Sequence, residues 1–316
     1  MSQRQVRPRK PKALSKGSKM ATFAPASPAD SMDLFAGIAE LRRLGFEVEP
    51  PFEYDIEGSF AASAEERLEE FLALVQNPYV EGMVASRGGY GSNYLLDAAL
   101  HSQLPDPKCI VGFSDLTSLQ IYLWQMASWV TFHGPMASAG FSQGANSVQG
   151  YDEDSFLNAV TKTTSGHTMN LDGQALVEGE AQGRLLGGCL TLLQATIGTP
   201  WELDTAGSIL LLEDRAMKPY QVDRVLMHLK QAGKFRDVRG IVLGEFPDGQ
   251  PTVEGSPTTR EVCERILRPL EIPIVYGAPV GHTKRPMLTI PLGIEARLDA
   301  EGEGHLEILE SAVVEE

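Results

Sequence analysis

Three side chains that could together perform nucleophilic catalysis each follow an apolar segment of the sequence. They are Ser114 in CIVGFSDLTSL, Glu213 at the end of SILLLE, and His282 in GAPVGHTKRP. A serine hydroxyl is a weak nucleophile at its ordinary pKa, so a neutral imidazole must take its proton and a carboxylate must fix the tautomer of that imidazole. If the fold brings the three together, they indicate a serine hydrolase.

Each of these residues also has a simpler structural interpretation. Ser114 or Asp115 could cap the helix that follows, and Glu213 could be a solvated or capping acid at a strand end. A histidine in a loop is commonly a surface residue. The turn at Ser114 also differs from the G-x-S-x-G pattern, because position 116 is Leu. On the residues alone, both interpretations stay open.

A glycine-rich segment, SRGGYGSNYLL (86–96), could offer backbone N–H groups to an oxyanion or a phosphate. Its glycines, Gly88, Gly89 and Gly91, fit neither a P-loop nor G-x-G-x-x-G, and a plain tight turn is the competing interpretation. Cys189 is an alternative nucleophile, although small buried cysteines usually only pack.

Alternating strands and helices would position these residues. The first half has predicted strands at 21–27, 82–86, 109–113 and 129–135, and predicted helices at 33–45, 63–78, 94–101 and 115–125. This spacing indicates βαβ units and a parallel sheet covered on both faces. The second half repeats the alternation from Gly183 and ends around DAEGEG, which is typical of a hairpin. The sequence therefore predicts an α/β fold with two domains.

The predicted organisation has four parts. They are a disordered basic tail (1–15), an N-terminal α/β domain with the nucleophile (16–145), an interdomain connection (146–182) and a C-terminal α/β domain with the acid and the histidine (183–316). The connection is inferred from its richness in Gly, Ser, Thr and acids.

Composition and charge exclude several classes of protein. The 316 residues carry a formal charge of −15, and an acidic body repels nucleic-acid phosphates. No apolar run approaches the roughly 20 residues that cross a bilayer, and the basic start lacks the apolar core of an export signal. Three cysteines are too few for a disulfide framework or a cysteine-based zinc site, so we expect a cytoplasmic protein.

Five segments in fixed order carry a resemblance to a known family. They are SRGGYG, VGFSDLTSL, GRLLGGCLTLLQATIGTPW, ILLLEDRAMKPYQVDRVLMHL and PVGHTKRPMLTIPLG. With them, the chain from about Lys12 to its end resembles the LD-carboxypeptidase family of serine peptidases. This family includes muramoyltetrapeptide carboxypeptidases, and a sister branch hydrolyses microcin C-type peptidyl-adenylates.

The resemblance implies a fold and a catalytic set. It implies a Rossmann-like N-terminal domain with a parallel sheet and a smaller β-rich C-terminal α/β domain, with the active site in the cleft between them. Ser114 would be the nucleophile, His282 the base and Glu213 the acid that orients the histidine. Backbone N–H groups of Asp115 and of the Gly88–Gly89 turn would hold the oxyanion, without a metal or cofactor.

The implied reaction is hydrolysis of an L,D-amide bond through an acyl-enzyme, which releases D-Ala from a murein tetrapeptide during peptidoglycan recycling. A guanidinium fits the free carboxylate of such a substrate. Arg87 is the first candidate, with a salt bridge that packs the turn as its competing role, and Arg285 is the second. We expect a locally neutral or positive cleft and, as is common in the family, a homodimer.

Two alternatives to this function stay open. An amidase acting on peptidyl-adenylates would need an aromatic platform for the base, for which Tyr90 and Trp201 are candidates. Met217 stands where many family members carry a polar residue, which leaves the substrate undecided. A non-enzymatic protein that binds a small ligand is the third possibility, and the presence of all three triad residue types disfavours it.

Overall fold

Two β-sheets with flanking helices form the part of the chain that the computed structural model describes, which is residues 7–49, 51–52, 56–97, 100 and 104–315. The first half contains β1 (Lys19–Phe23), α1 (Ser31–Arg43), β2 (Glu47–Val48), α2 (Ala64–Gln76), β3 (Gly82–Ala85), β4 (Cys109–Gly112), α3 (Thr117–Ala127), β5 (Thr131–His133) and α4 (Glu153–Thr161). The rest contains β6 (His167–Asn170), β7 (Gln174–Val177), β8 (Glu180–Cys189), α5 (Leu190–Ala195), β9 (Ser208–Glu213), α6 (Pro219–Gln231), β10 (Gly240–Leu243), α7 (Thr259–Leu267), β11 (Ile274–Tyr276), β12 (Ile290–Leu292), β13 (Glu295–Asp299) and β14 (His305–Ile308).

The first sheet is parallel except at one edge. Its strand order is β12-β5-β4-β3-β1-β2, and β12 runs antiparallel to β5 while the other neighbours are parallel. The inner strands β3 and β4 are buried along their whole length, as expected where helices cover both faces. The α/β prediction is confirmed. The edge strand β12 comes from the second half of the chain, beyond the predicted N-terminal domain.

The second sheet mixes parallel and antiparallel pairs. Its order is β6-β14-β13-β8-β9-β10-β11-β7, with β8 to β11 parallel and the outer strands antiparallel. The predicted hairpin is the pair β13–β14. Segment 146–182 differs from the predicted connection, because it supplies both edge strands, β6 and β7. Polar residues suit an edge strand, which faces water on one side, as well as they suit a linker.

The start of the chain also differs from prediction over residues 7–15, while residues 1–6 lie outside the described residues. Leu14 is 2% exposed in the main apolar cluster. Lys10 Nζ lies 2.9 Å from a carboxylate oxygen of Glu310. The expectation of disorder is therefore wrong for 7–15, since buried apolar residues, backbone bridges to Trp129 and Val314 and acidic partners on the body hold the basic segment.

One buried apolar cluster runs through both sheets, including Val111 of β4 and Leu211 of β9. The packing sets the carboxyl ends of strands from both sheets beside each other. Instead of the predicted helix at 94–101, a short 3-10 turn covers Ser92–Leu95, and residues 98, 99 and 101–103 lie outside the described part. Within the described ranges, none of the helices is long and apolar enough to cross a membrane.

Candidate active site

Ser114 lies on a sharp turn between β4 and α3. The turn is a short 3-10 segment, Ser114–Leu116, and Ser114 has φ of +60°. This left-handed conformation is uncommon for residues other than glycine and persists only where the surroundings impose it. It holds the half-buried serine at the carboxyl end of β4.

The glycine-rich turn after β3 packs directly against Ser114. A Cβ atom on Gly88 would lie 2.9 Å from Ser114 Oγ, so only glycine permits this approach. Ser27 clamps the turn, because its backbone N–H donates to Gly88 O at 3.2 Å and its Oγ accepts from the Tyr90 backbone N–H at 3.2 Å. Gly89 packs on the same serine. The turn is thereby fixed beside the hydroxyl.

Asp115 joins the serine turn to the glycine-rich segment. Its buried carboxylate accepts from the backbone N–H of Ser92 at 2.7 Å, and Ser92 Oγ donates to the Asp115 backbone oxygen at 2.6 Å. Burial raises the pKa of Asp115, against the effect of these hydrogen bonds. The side chain therefore organises the site, while the backbone nitrogen lies 3.5 Å from the Cβ position of Gly88. Sequence reasoning missed Ser92, whose type carried no distinguishing signal.

Glu213, at the end of β9, and His282, in the loop after β11, form a hydrogen-bonded pair. His282 Nδ1 and Glu213 Oε2 are 2.8 Å apart, and the backbone N–H of His282 donates to the same oxygen at 2.9 Å. A Cβ on Gly281 would lie 2.2 Å from Glu213 Cδ, so the glycine before the histidine allows the close approach. Both donors fix the imidazole relative to the carboxylate.

Burial and the surrounding imidazoles set the charge of Glu213. Burial raises the carboxyl pKa, but His282 and His133 together lower it by more, so the pKa of Glu213 is well below its ordinary value. The side chain is therefore ionised at neutral pH. The neighbouring Asp214 has a different role, since its Oδ2 accepts from the backbone N–H of Thr191 at 2.9 Å and from its hydroxyl at 2.6 Å.

Contacts between the two sheets bring the serine turn beside the histidine. The ring of Phe113, the residue before Ser114, packs edge-on against His282 with centroids 5.0 Å apart. Thr117 Oγ1 accepts from the backbone N–H of Cys189 at 3.1 Å. Ser114 Oγ makes no hydrogen bond to any residue that the structure describes. The residue before Ser114 thus contacts the imidazole that is hydrogen-bonded to Glu213.

Cys189 is a poor alternative nucleophile in this setting. It is buried, and burial together with the nearby carboxylates of Glu213 and Asp214 raises its thiol pKa well above the ordinary value. A thiol must be ionised to attack. The residue is instead the buried last residue of β8 and directly precedes α5.

A cavity of about 270 Å³ opens beside His282 and Phe113. Its charged lining residues are Arg215, Asp248 and Lys284. Arg215 Nη2 lies 3.1 Å and Lys284 Nζ 3.6 Å from Asp248 carboxylate oxygens. Two cations thus lie close to one acid, so these three side chains together carry a net positive charge. Arg215 is two residues after Glu213, and Lys284 is two residues after His282. The sequence analysis did not select either residue, although both are close to a predicted catalytic residue in the sequence.

Two family models match most of the chain. The LD-carboxypeptidase N-terminal domain matches residues 20–134, and the LD-carboxypeptidase C-terminal domain matches residues 182–298. The chain belongs to the LD-carboxypeptidase family. This assignment confirms the resemblance drawn from the five motifs and identifies the protein as a carboxypeptidase of the serine peptidase class.

Some relatives of this LD-carboxypeptidase are named as carboxypeptidases, and others are named as microcin self-immunity proteins. It is 34% identical over 294 residues to the "Probable murein peptide carboxypeptidase" of Bacillus subtilis, covering 92% of this chain and 91% of that protein. The structure of muramoyltetrapeptide carboxypeptidase from Oxalobacter formigenes matches with a TM-score of 0.81 at 30% identity, covering 93% of this chain and 99% of that one. The microcin C7 self-immunity protein MccF of Escherichia coli is 27% identical over 305 residues, covering 87% of this chain and 88% of that protein.

The two arginines predicted to hold the substrate carboxylate differ in their surroundings. Arg87 is exposed, and its Nη1 donates to Pro28 O at 2.9 Å. Arg285 donates from Nε to Glu245 at 2.5 Å, from Nη1 to Asp172 O at 3.0 Å, and from Nη2 to a backbone oxygen in its own loop. These bonds join loops of this LD-carboxypeptidase, so Arg285 has a structural role in addition to its predicted contact with the substrate.

The two predicted aromatic platforms lie outside the cavity lining. Tyr90 is 49% exposed and packs against Phe60 and Tyr94. Trp201 packs against Tyr122 of α3, with ring centroids 5.4 Å apart. Neither ring lines the cavity beside His282. The described residues also contain no cluster of three or more His, Cys, Asp or Glu side chains arranged to hold a metal ion.

Proposed function

We propose that this LD-carboxypeptidase releases D-Ala from a murein tetrapeptide, with Ser114 as the nucleophile, His282 as the base and Glu213 as the acid that orients it. The 2.8 Å hydrogen bond between His282 Nδ1 and Glu213 Oε2 carries the proposal. Because Nδ1–H donates to the carboxylate, Nε2 keeps its lone pair and is the nitrogen that can accept a proton.

The reaction proceeds in two halves. Ser114 Oγ attacks the carbonyl carbon of the scissile L,D-amide as its proton passes to His282 Nε2. The imidazolium then protonates the amide nitrogen, the C–N bond breaks, and D-Ala leaves an acyl-enzyme. His282 next takes a proton from water, the hydroxide attacks the ester carbonyl, and Ser114 leaves with the proton returned. Substrate binding is expected to draw the hydroxyl and the imidazole into contact.

The oxyanion is proposed to bind between the two turns that meet at Ser114. The donors are the backbone N–H of Asp115 and those of Gly88 and Gly89. The close packing of Gly88 on Ser114 supports this assignment, because donors fixed before the reaction stabilise developing charge without reorganisation. Removal of such a donor costs about 10²- to 10³-fold in kcat in other serine peptidases.

The cavity cations favour a substrate that carries a carboxylate. Arg215 and Lys284 can bind it next to His282, and Arg87 remains a candidate at the oxyanion turn. A peptidyl-adenylate amidase is the second candidate, supported by the similarity to MccF over 87% of the chain. The names of the relatives from Bacillus and Oxalobacter favour the murein peptide.

Incubation with a murein tetrapeptide that lacks the disaccharide, and separately with an acyl-adenylate analogue, tests the proposal. Release of D-Ala by the wild type, with a loss on the order of 10³-fold or more in Ser114→Ala, is the expected result. Near-native turnover by a folded Ser114→Ala variant contradicts the assignment of the nucleophile. Release of nucleotide without D-Ala selects the amidase, and neither product from the wild type favours a binding protein.

We also infer a cytoplasmic role in peptidoglycan recycling and a homodimer, both from the family resemblance. Cell fractionation tests the first. Sedimentation of the purified chain tests the second, and a mass near 34.4 kDa would identify a monomer.

A further inference from the structure

We propose that His133 is a positioning residue that holds the second carboxylate oxygen of Glu213, and so aligns the acid of the second sheet with the serine turn of the first. This inference rests on the proposed function of the Ser114, His282 and Glu213 set. His133 was not among the residues that the sequence motifs singled out. The imidazole lies at the carboxyl end of β5, and Glu213 lies at the carboxyl end of β9.

The two oxygens of Glu213 have different surroundings. Oε2 accepts both hydrogen bonds from His282, whereas Oε1 has no hydrogen-bond partner among the described residues. His133 Nε2 lies 3.6 Å from Oε1, and both side chains are 0% exposed. This separation is slightly longer than a hydrogen bond, so the interaction at this distance is electrostatic.

Burial makes this pairing significant. Both ring nitrogens of His133 also lack hydrogen-bond partners within the described part of the chain, and buried polar groups in folded proteins are normally paired. A buried carboxylate is costly unless its charge is compensated. With an N–H at Nε2, His133 faces the oxygen of Glu213 that His282 leaves open, so each group is the available partner of the other.

The backbone couples His133 to the nucleophile. His133 pairs with Gly112 in the parallel β4–β5 pair, and Gly112 is two residues before Ser114 in the sequence. The side-chain amide of Gln120 donates to Gly112 O at 3.0 Å and to Phe132 O at 2.9 Å, which locks the two strand ends together. A shift of His133 would therefore also shift the turn that carries Ser114.

Phe113 completes this connection between the sheets. Its ring packs edge-on against His282 at 5.0 Å and against His133 at 6.2 Å between centroids. One aromatic ring thus touches both imidazoles that flank Glu213. His133 is the contact from the first sheet to the carboxylate, and we infer that it fixes the distance between the hydroxyl and the acid–base pair.

Variants that differ in their reach toward Glu213 test the proposal, with D-Ala release from the murein tetrapeptide as the assay. His133→Gln keeps an N–H donor near the position of Nε2, whereas His133→Leu removes it at similar volume. We expect His133→Leu to lose about 10- to 100-fold in kcat with KM within about threefold, and His133→Gln to recover most of the loss. Folded His133→Leu with near-native kcat overturns the proposal, as does a loss in His133→Gln equal to that in His133→Leu.

A double-mutant cycle separates positioning from general packing. In a Glu213→Gln background, His133→Leu should change kcat by less than about threefold, because the charge on which it acts is gone. The same fold-loss in both backgrounds overturns the proposal. If His133→Leu does not fold, His133→Asn replaces it, since its amide ends short of Glu213. Ser114→Ala is measured in parallel. Near-native turnover of Ser114→Ala contradicts the proposed function, whereas the results of the double-mutant cycle decide the role of His133.

Discussion

Replacement of Glu213 by Gln removes the carboxylate charge while keeping the shape of the site. Two donors of His282, the backbone N–H and Nδ1–H, converge on one oxygen of Glu213. The glutamine carbonyl oxygen is expected to occupy that position, because the amide nitrogen cannot accept a hydrogen bond there. The imidazole then keeps its tautomer, and the variant reports the effect of the charge.

The size of the effect follows from the contact distance. With Nδ1 and Oε2 2.8 Å apart, the centres of the imidazolium and carboxylate charges are separated by about 4 Å. At an effective dielectric constant of about 20, two unit charges at this distance attract by about 4 kcal/mol. The imidazolium forms in the transition state, so the loss falls on kcat and amounts to about 10³-fold. KM is expected to stay within about threefold.

Steady-state release of D-Ala from the murein tetrapeptide measures both parameters. Asp214→Asn is the matched control, because it neutralises the adjacent acid, whose contacts are with Thr191 rather than with His282. We expect the control to retain kcat within about tenfold. A Glu213→Gln variant that also stays within tenfold of the wild type, while folded, would refute the electrostatic reasoning.

Two further predictions concern the turn and the acid. Gly88→Ala should reduce kcat by at least about 100-fold with little change in Tm, because the new Cβ would lie 2.9 Å from Ser114 Oγ; near-native D-Ala release would contradict the packing argument. Because folding lowers the pKa of Glu213 below its ordinary value of 4.5, its ionisation stabilises the wild type above that pH, and this contribution is lost as the pH falls through the folded pKa. Urea unfolding from pH 7 to pH 3 measures the free energy of unfolding of the wild type and of Glu213→Gln. The stability of the wild type relative to Glu213→Gln should fall as the pH drops below 4.5, and a pH-independent difference would contradict this reasoning.

The strand ends that carry the site were accessible from the sequence. The apolar segments before Ser114 and Glu213 form the buried strands β4 and β9, because continuous apolar runs of this length suit a sheet covered on both faces. The residues alone left helix capping open as a role for both. The position of Glu213 at the end of a strand made it a candidate, and the family resemblance assigned it the role of the acid that orients the histidine.

Several features depended on contacts between distant parts of the chain. Arg285 was predicted only as a candidate for substrate binding, and its hydrogen bonds to Glu245 and Asp172 could not be read from the sequence. Segment 146–182 had the composition of a linker but forms both edges of the second sheet. The composition of a segment is compatible with either a linker or an edge strand. Whether the segment forms a strand depends on a neighbouring strand with which it can hydrogen-bond.

The sequence by itself determined the α/β class, the order of the motifs and the residue types available for catalysis, because these depend on patterns within a few neighbouring residues. Only the tertiary structure decided that Glu213 meets His282, 69 residues further along the chain, through two hydrogen bonds. It alone placed His133 at the other carboxylate oxygen. The first meeting arises within the second sheet and the second from the packing of the two sheets, and no local pattern specifies either.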